Sequence, residues 1–196
     1  MSDRHERDRI LGNLVRAIAM LERCDAFARI IPEVRVNLAY ALPGASDPSE
    51  VAAVEGRITR VHGRARASGL PAFGASDHMA RLLVETMRRD PVLRAGINFA
   101  YDEGLEGCVR AMGYLPVPID RSKEPEEVAR ADRASMPWKI REVIEAAGGV
   151  PRLFWESPAL GKEPLFVLLG EDAAGVAAEA CRIAEVFAGQ AAFSGQ

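Results

Sequence analysis

The chain has 196 residues, 48% of them hydrophobic, and a formal net charge of −3. This length and apolar content suit one globular domain with a real core. The mild acidity argues against general nucleic-acid binding, which takes a basic face. The stretch from Met1 to Arg9 is charged and mixed in sign. No apolar run after it is long enough for a membrane span or shaped like a signal peptide, so no membrane association is expected. Cys24, Cys108 and Cys181 are odd in number and form no C-x-x-C pair. They read as buried packing residues in a reducing cytoplasm, not as disulfides or a zinc set.

Ile10, Leu11, Leu14, Val15, Ile18 and Leu21 recur at helical spacing, which predicts an amphipathic helix over 8–29 that Pro32 stops. Its stripe is expected to bury against a sheet or a second subunit, which leaves a homodimer open. Strands are predicted at 34–42, 51–54 and 57–66, the last two separated at Gly56. A glycine-bearing loop, 68–74, leads into a helix over 76–89 with Ser76 or Asp77 as N-cap. A buried strand over 94–101 follows, then a short helix over 103–112 and a strand over 114–119. The charged stretch 121–133 reads as surface. A helix over 135–147 starts at Ser135 with Pro137 in its first turn and ends at Gly148-Gly149. Strands at 152–156 and 165–169 flank a turn, and a last helix covers 172–187. Strands and helices in irregular alternation predict a mixed sheet covered by helices.

Several residues could carry chemistry. Gly74, Ala75 and Ser76 run from a loop into a helix start, where free N–H groups and the helix dipole favour an anion, and His78 in the first turn could add a donor. A capped helix with a solvent-facing histidine is the plain alternative. Arg57 after Gly56 suits a guanidinium fork on phosphate, or is one surface arginine among many. Lys162 in the turn Gly161-Lys162 could reach a phosphate or stay solvated. Asp120 and Arg121 end a strand, where functional residues gather in α/β proteins, or form a loop ion pair. His5, His62 and His78 show no zinc-ligand spacing, and no metal site is expected. There is no G-x-S-x-G, Walker A or strand-following G-x-G-x-x-G.

Taken together, five segments are specific in combination. They are VAAVEGRI at 51–58, FGASDHMAR at 73–81, DPVLRA at 90–95, Ile119-Asp120-Arg121, and GKEP at 161–164. With IPEV at 31–34, Asn37 and Tyr40 ahead of them, the chain resembles the archaeal-type thiamine-phosphate synthase (ThiN) domain family over about residues 8–187. The resemblance implies an α/β fold, a three-layer α/β/α sandwich with a mixed sheet. That fold is class II aldolase-like (AraD/HMP-PK C-terminal domain-like). It implies a single domain over 1–196 with an ordered core at about 8–187.

The implied activity joins hydroxymethylpyrimidine diphosphate to thiazole phosphate, giving thiamine phosphate and diphosphate. The family's important arginine and histidine fall on Arg57 and His78, implied to be catalytic. Gly74, Ala75, Ser76, Asp120, Arg121, Gly161 and Lys162 are then expected to bind substrate or phosphate. Mg²⁺ is expected to arrive with the diphosphate. Family members are often fused to a pyrimidine kinase or to a helix-turn-helix domain, and neither is expected in this chain. In the latter setting the domain senses thiamine phosphates, so a non-catalytic thiamine-phosphate-binding module is the rival reading. The presence of both Arg57 and His78 favours the enzyme. Phe99 and Trp155-Glu156-Ser157 depart from the family pattern and could alter the substrate fit near Lys162.

Overall fold

A computed structural model describes residues 3–125, 127–128, 135–158 and 163–194, with side chains up to Gln190. Helix α1 spans Asp3–Arg23 and buries Ile10, Leu14, Ala17 and Leu21. Leu11 and Ile18 are only partly buried beside them, so the stripe is rotated slightly from the expected one. The helix also ends earlier than expected. A separate 3-10 turn, Asp25–Ile30, follows Cys24 and buries Phe27 and Ile30.

Seven strands form the main sheet. They are β1 (Leu38–Ala41), β2 (Val51–Val54), β5 (Pro71–Phe73), β6 (Ala95–Ala100), β7 (Val117–Ile119), β8 (Leu153–Glu156) and β9 (Leu165–Gly170), in the order β5-β2-β1-β6-β9-β8-β7. All neighbours are antiparallel except β7 and β8, which are parallel. The sheet is therefore mixed, as expected. Both edge strands contain proline, Pro71 and Pro118, which a central strand would not tolerate because proline cannot donate to the ladder.

The segment 57–66 is not one strand. It folds as a hairpin of β3 (Ile58–Val61) and β4 (Arg64–Ala67) outside the main sheet. His62 and Gly63 form its two-residue turn, with φ of 49° and 76°. Both central residues of a type I′ hairpin turn need positive φ, and this turn matches the strand twist. The first strand starts later than expected, at Leu38, with Val36 making only an isolated bridge to Ile58.

Helices α1, α3 (Glu103–Ala111) and α5 (Ala173–Ser194) form one layer, and α2 (His78–Met87) and α4 (Ser135–Ala147) the other. The result is the three-layer α/β/α sandwich. Helix α2 lies close on the sheet at Gly96, where an added Cβ would come within 3.1 Å of Met79 Sδ. That close approach brings the N-terminus of α2 over the centre of the sheet. All three cysteines are free and buried. Among the described residues no helix is long and apolar enough to cross a membrane.

Candidate active site

Arg57 and His78, 21 residues apart in sequence, line one cavity of about 270 Å³. Asn37, Asn98, Arg121, Glu156 and Glu163 line it with them, and Val34, Leu165 and Val167 supply apolar wall. The cavity forms where the start of α2, the turn after β2 and the ends of β7 and β8 converge.

Arg57 sits in a turn that begins at Val54, whose carbonyl accepts its N–H at 3.2 Å. Gly56 and Arg57 are both left-handed, with φ of 66° and 71°. Glycine takes that conformation freely, whereas for arginine it is strained. Strain of this kind persists only where surrounding contacts over-determine it, and it gathers at functional sites. Here the contacts are visible. Ser68 N–H donates to Arg57 O at 2.9 Å, and Arg57 Nη1 donates to Val34 O at 2.6 Å. Val34 is itself held, because its N–H donates to Glu163 Oε1 at 2.6 Å and the Glu33 N–H donates to Oε2 at 3.3 Å. Glu163 thus fixes the carbonyl on which Arg57 leans.

Ser76 caps α2 in practice. Its Oγ accepts the Met79 N–H at 3.3 Å and Asn37 Nδ2–H at 2.8 Å. Asp77 makes no side-chain cap and pairs with Arg81 at 2.7 Å. Asn37 also donates its backbone N–H to Asn98 Oδ1 at 2.6 Å. This buried polar network ties β1, β6 and the start of α2 together beneath the exposed His78.

Arg121 follows β7, and Glu156 ends β8. Parallel pairing puts Ile119 opposite Glu156, so the two side chains meet as an ion pair. Lys139, from the buried face of α4, reaches the same Glu156 oxygen at 2.7 Å. The side chains of Arg121, Lys139 and Glu156 are 6%, 2% and 3% exposed. Burial pushes the Arg121 pKa down, while Glu124 partly offsets this; an arginine so shifted is still a cation at neutral pH. Its Nε and Nη1 are buried and have no acceptor among the described residues.

The expected site residues divide. Arg57, His78 and Arg121 come together. Ser76 stands behind them as support. Ala75 lies by the outer opening beside Gly56 and Arg57, and the N–H of Gly74 is spent on Val51 O at 3.0 Å. Asp120 does not line the cavity; it caps the short turn 121–123 by accepting from Ser122 N–H at 3.0 Å. Gly161 and Lys162 lie outside the described residues. Asn98, Glu163 and Lys139 carry no site signal of their own in the sequence, and Glu156 stands out there only within Trp155-Glu156-Ser157 as a departure from the family pattern.

The sequence profile of the thiamine-phosphate synthase ThiN family matches residues 13–182. The chain belongs to that family. It is 37% identical over 173 residues to the thiamine-phosphate synthase ThiN of Methanothermobacter thermautotrophicus, covering 88% of this chain and 91% of that protein. It is 33% identical over 168 residues to the bifunctional thiamine biosynthesis protein ThiDN of Methanocaldococcus jannaschii, covering 85% of this chain and 38% of that longer protein. The crystallised C-terminal domain of a phosphomethylpyrimidine kinase superposes with a TM-score of 0.83 at 32% identity. That match covers 91% of this chain and all of the domain. In a ThiN chain the cavity between Arg57, His78 and Arg121 becomes the candidate reaction site.

The role of Glu163 can be tested directly. Glu163→Ala is expected to lower turnover about tenfold by freeing the Val34 carbonyl that steadies Arg57, the size of one lost charge-assisted hydrogen bond. Glu163→Gln, whose amide oxygen still accepts the Val34 N–H, should recover most of it. Equal losses in the two variants would show that the carboxylate acts in another way.

Proposed function

We propose that this chain joins hydroxymethylpyrimidine diphosphate to thiazole phosphate, as a cytoplasmic enzyme acting on small molecules without nucleic acid. The ring nitrogen of the thiazole attacks the CH₂ of the pyrimidine. Its lone pair makes the new C–N bond, the C–O bond to the diphosphate breaks, and the electron pair leaves on the diphosphate. No proton is transferred, because the attacking nitrogen carries none and ends as a quaternary cation. The demand on the protein is to neutralise the departing diphosphate. Preorganised donors in a partly enclosed site do this most effectively.

The observation that carries the reading is the convergence of Arg57, His78 and the partly unpaired Arg121 on one cavity. Arg57 and His78 are assigned to the leaving diphosphate, with the N-terminal end of α2 behind them. Lys162 is assigned to a substrate phosphate on the basis of sequence alone. The carboxylates of the cavity are already committed, Glu156 to Lys139 and Arg121, Glu163 to backbone N–H groups. Among the described residues no three acidic, histidine or cysteine side chains cluster as a metal set. Mg²⁺ is assigned to the diphosphate oxygens with which it arrives.

The test is to incubate the protein with both precursors and Mg²⁺ and to measure thiamine phosphate, alongside its affinity for that product. Product formation is expected. Tight binding of thiamine phosphate with no turnover would make the domain a ligand-binding module instead.

A further inference from the structure

We infer that this cavity seats the pyrimidine substrate and that the side-chain oxygen of Asn37 recognises its amino group. The inference rests on the coupling reaction proposed above. Two opposite kinds of unmet hydrogen-bonding capacity occur among the cavity residues. Among the described residues, Arg121 Nε and Nη1 are buried donors without acceptors, and Asn37 Oδ1 is a buried acceptor without a donor. An unpaired buried polar group is costly, and a ligand that pairs it recovers that cost on binding.

The amide of Asn37, in a residue only 7% exposed, is held in its orientation. Nδ2 donates to Ser76 Oγ, whose other contact is the Met79 N–H it accepts, and the backbone N–H donates to Asn98 Oδ1. With Nδ2 donating to Ser76 Oγ and Oδ1 holding no donor among the described residues, the oxygen is the end left for a ligand. Three other side-chain acceptors of the cavity already hold donors. Glu156 takes Arg121 and Lys139, Glu163 takes the N–H groups of Glu33 and Val34, and Asn98 takes Asn37.

The chemistry of the two co-substrates then decides between them. Both carry anionic oxygens that could meet Arg121. Only the aminopyrimidine also carries N–H donors, on its exocyclic amine. The thiazole ring has none, and its single nitrogen must keep its lone pair for attack. A ligand that satisfies both the unmet acceptor and the unmet donors is therefore the pyrimidine diphosphate, with its amine toward Asn37 and its diphosphate toward the arginines. Asn37 is a specificity residue in this arrangement.

The test uses binding of the pyrimidine diphosphate alone, so that it does not depend on turnover. Calorimetry compares this compound with an analogue whose amino group is replaced by hydrogen, in the wild type and in Asn37→Leu, with thiazole phosphate as control. The wild type is expected to prefer the amino compound by about tenfold or more, since a site built for a donor rejects a ligand lacking it. Asn37→Leu is expected to bind both pyrimidines alike and thiazole phosphate as the wild type does. Equal binding of the two pyrimidines by the wild type would overturn the inference, and so would a preference that survives in Asn37→Leu or no binding of either pyrimidine. The wild-type comparison needs no variant, and Asn37→Ser replaces the leucine variant should the latter not fold. Selective pyrimidine binding in a protein that makes no thiamine phosphate would sink the coupling reaction while leaving this assignment standing.

Discussion

Replacing Arg57 by alanine is expected to lower turnover by about 100-fold or more, the usual consequence of removing one preorganised electrostatic donor. The fold should survive, because the side chain is exposed and, among the described residues, its one hydrogen bond is to Val34 O. Its backbone supplies a sharper control. At φ 71° Arg57 occupies a conformation that glycine adopts without strain. Arg57→Gly should therefore be as inactive as Arg57→Ala yet at least as stable as the wild type in a denaturant titration. That pattern separates a residue kept for chemistry from one kept for folding. Arg57→Lys keeps the charge but loses the planar fork and should recover only part of the rate. An Arg57→Gly protein that turns over like the wild type would remove Arg57 from the mechanism.

The sequence marked Arg57 and His78 each by a local signal with a plain alternative, and the family resemblance made them a pair; the structure brings both to one cavity. One follows a strand and a glycine, the other a glycine loop that opens a helix. The sequence carried the helices and most strands, whose apolar periodicity is local as well. It hid what depends on pairing between distant segments. Arg121, Glu156 and Lys139 meet because β7 and β8 run parallel and α4 packs beside β7, and no local spacing announces that. Two weaker signals were present. Lys139 lies between Met136 and Val143 on the buried face of α4, an odd place for a lysine. Asn98 sits inside a strand that is otherwise buried and apolar, where asparagine is disfavoured. The hairpin at 58–67 was hidden by continuous alternation of arginine with smaller residues, which concealed the His62-Gly63 turn. The strand at Pro71–Phe73 was too short and too proline-marked to read as one.

Glu156→Ala is expected to be the most destabilising of these changes, by about 3–5 kcal/mol, the range for removing one partner of a buried ion pair. The reason is the position of this carboxylate between Arg121 and Lys139, all three side chains being almost fully buried. Without it two cations face each other in a low-dielectric setting, each already stripped of water. Glu156→Gln keeps an acceptor but not the charge and should lie between alanine and the wild type. Lys139→Met in the Glu156→Ala background should restore part of the loss, since it removes one of the repelling charges. A double-mutant cycle would then give a coupling well outside the few tenths of a kcal/mol seen for independent sites. Inorganic diphosphate should also raise the denaturation midpoint of Glu156→Ala more than that of the wild type, because a bound anion can replace the lost carboxylate beside Arg121. A denaturant titration of the wild type, the three single variants Glu156→Ala, Glu156→Gln and Lys139→Met, and the double variant, with and without diphosphate, reads all of these effects. An unchanged midpoint in Glu156→Ala would mean that the two cations do not depend on this carboxylate, and the account of Arg121 as a cation held ready for substrate would fall with it.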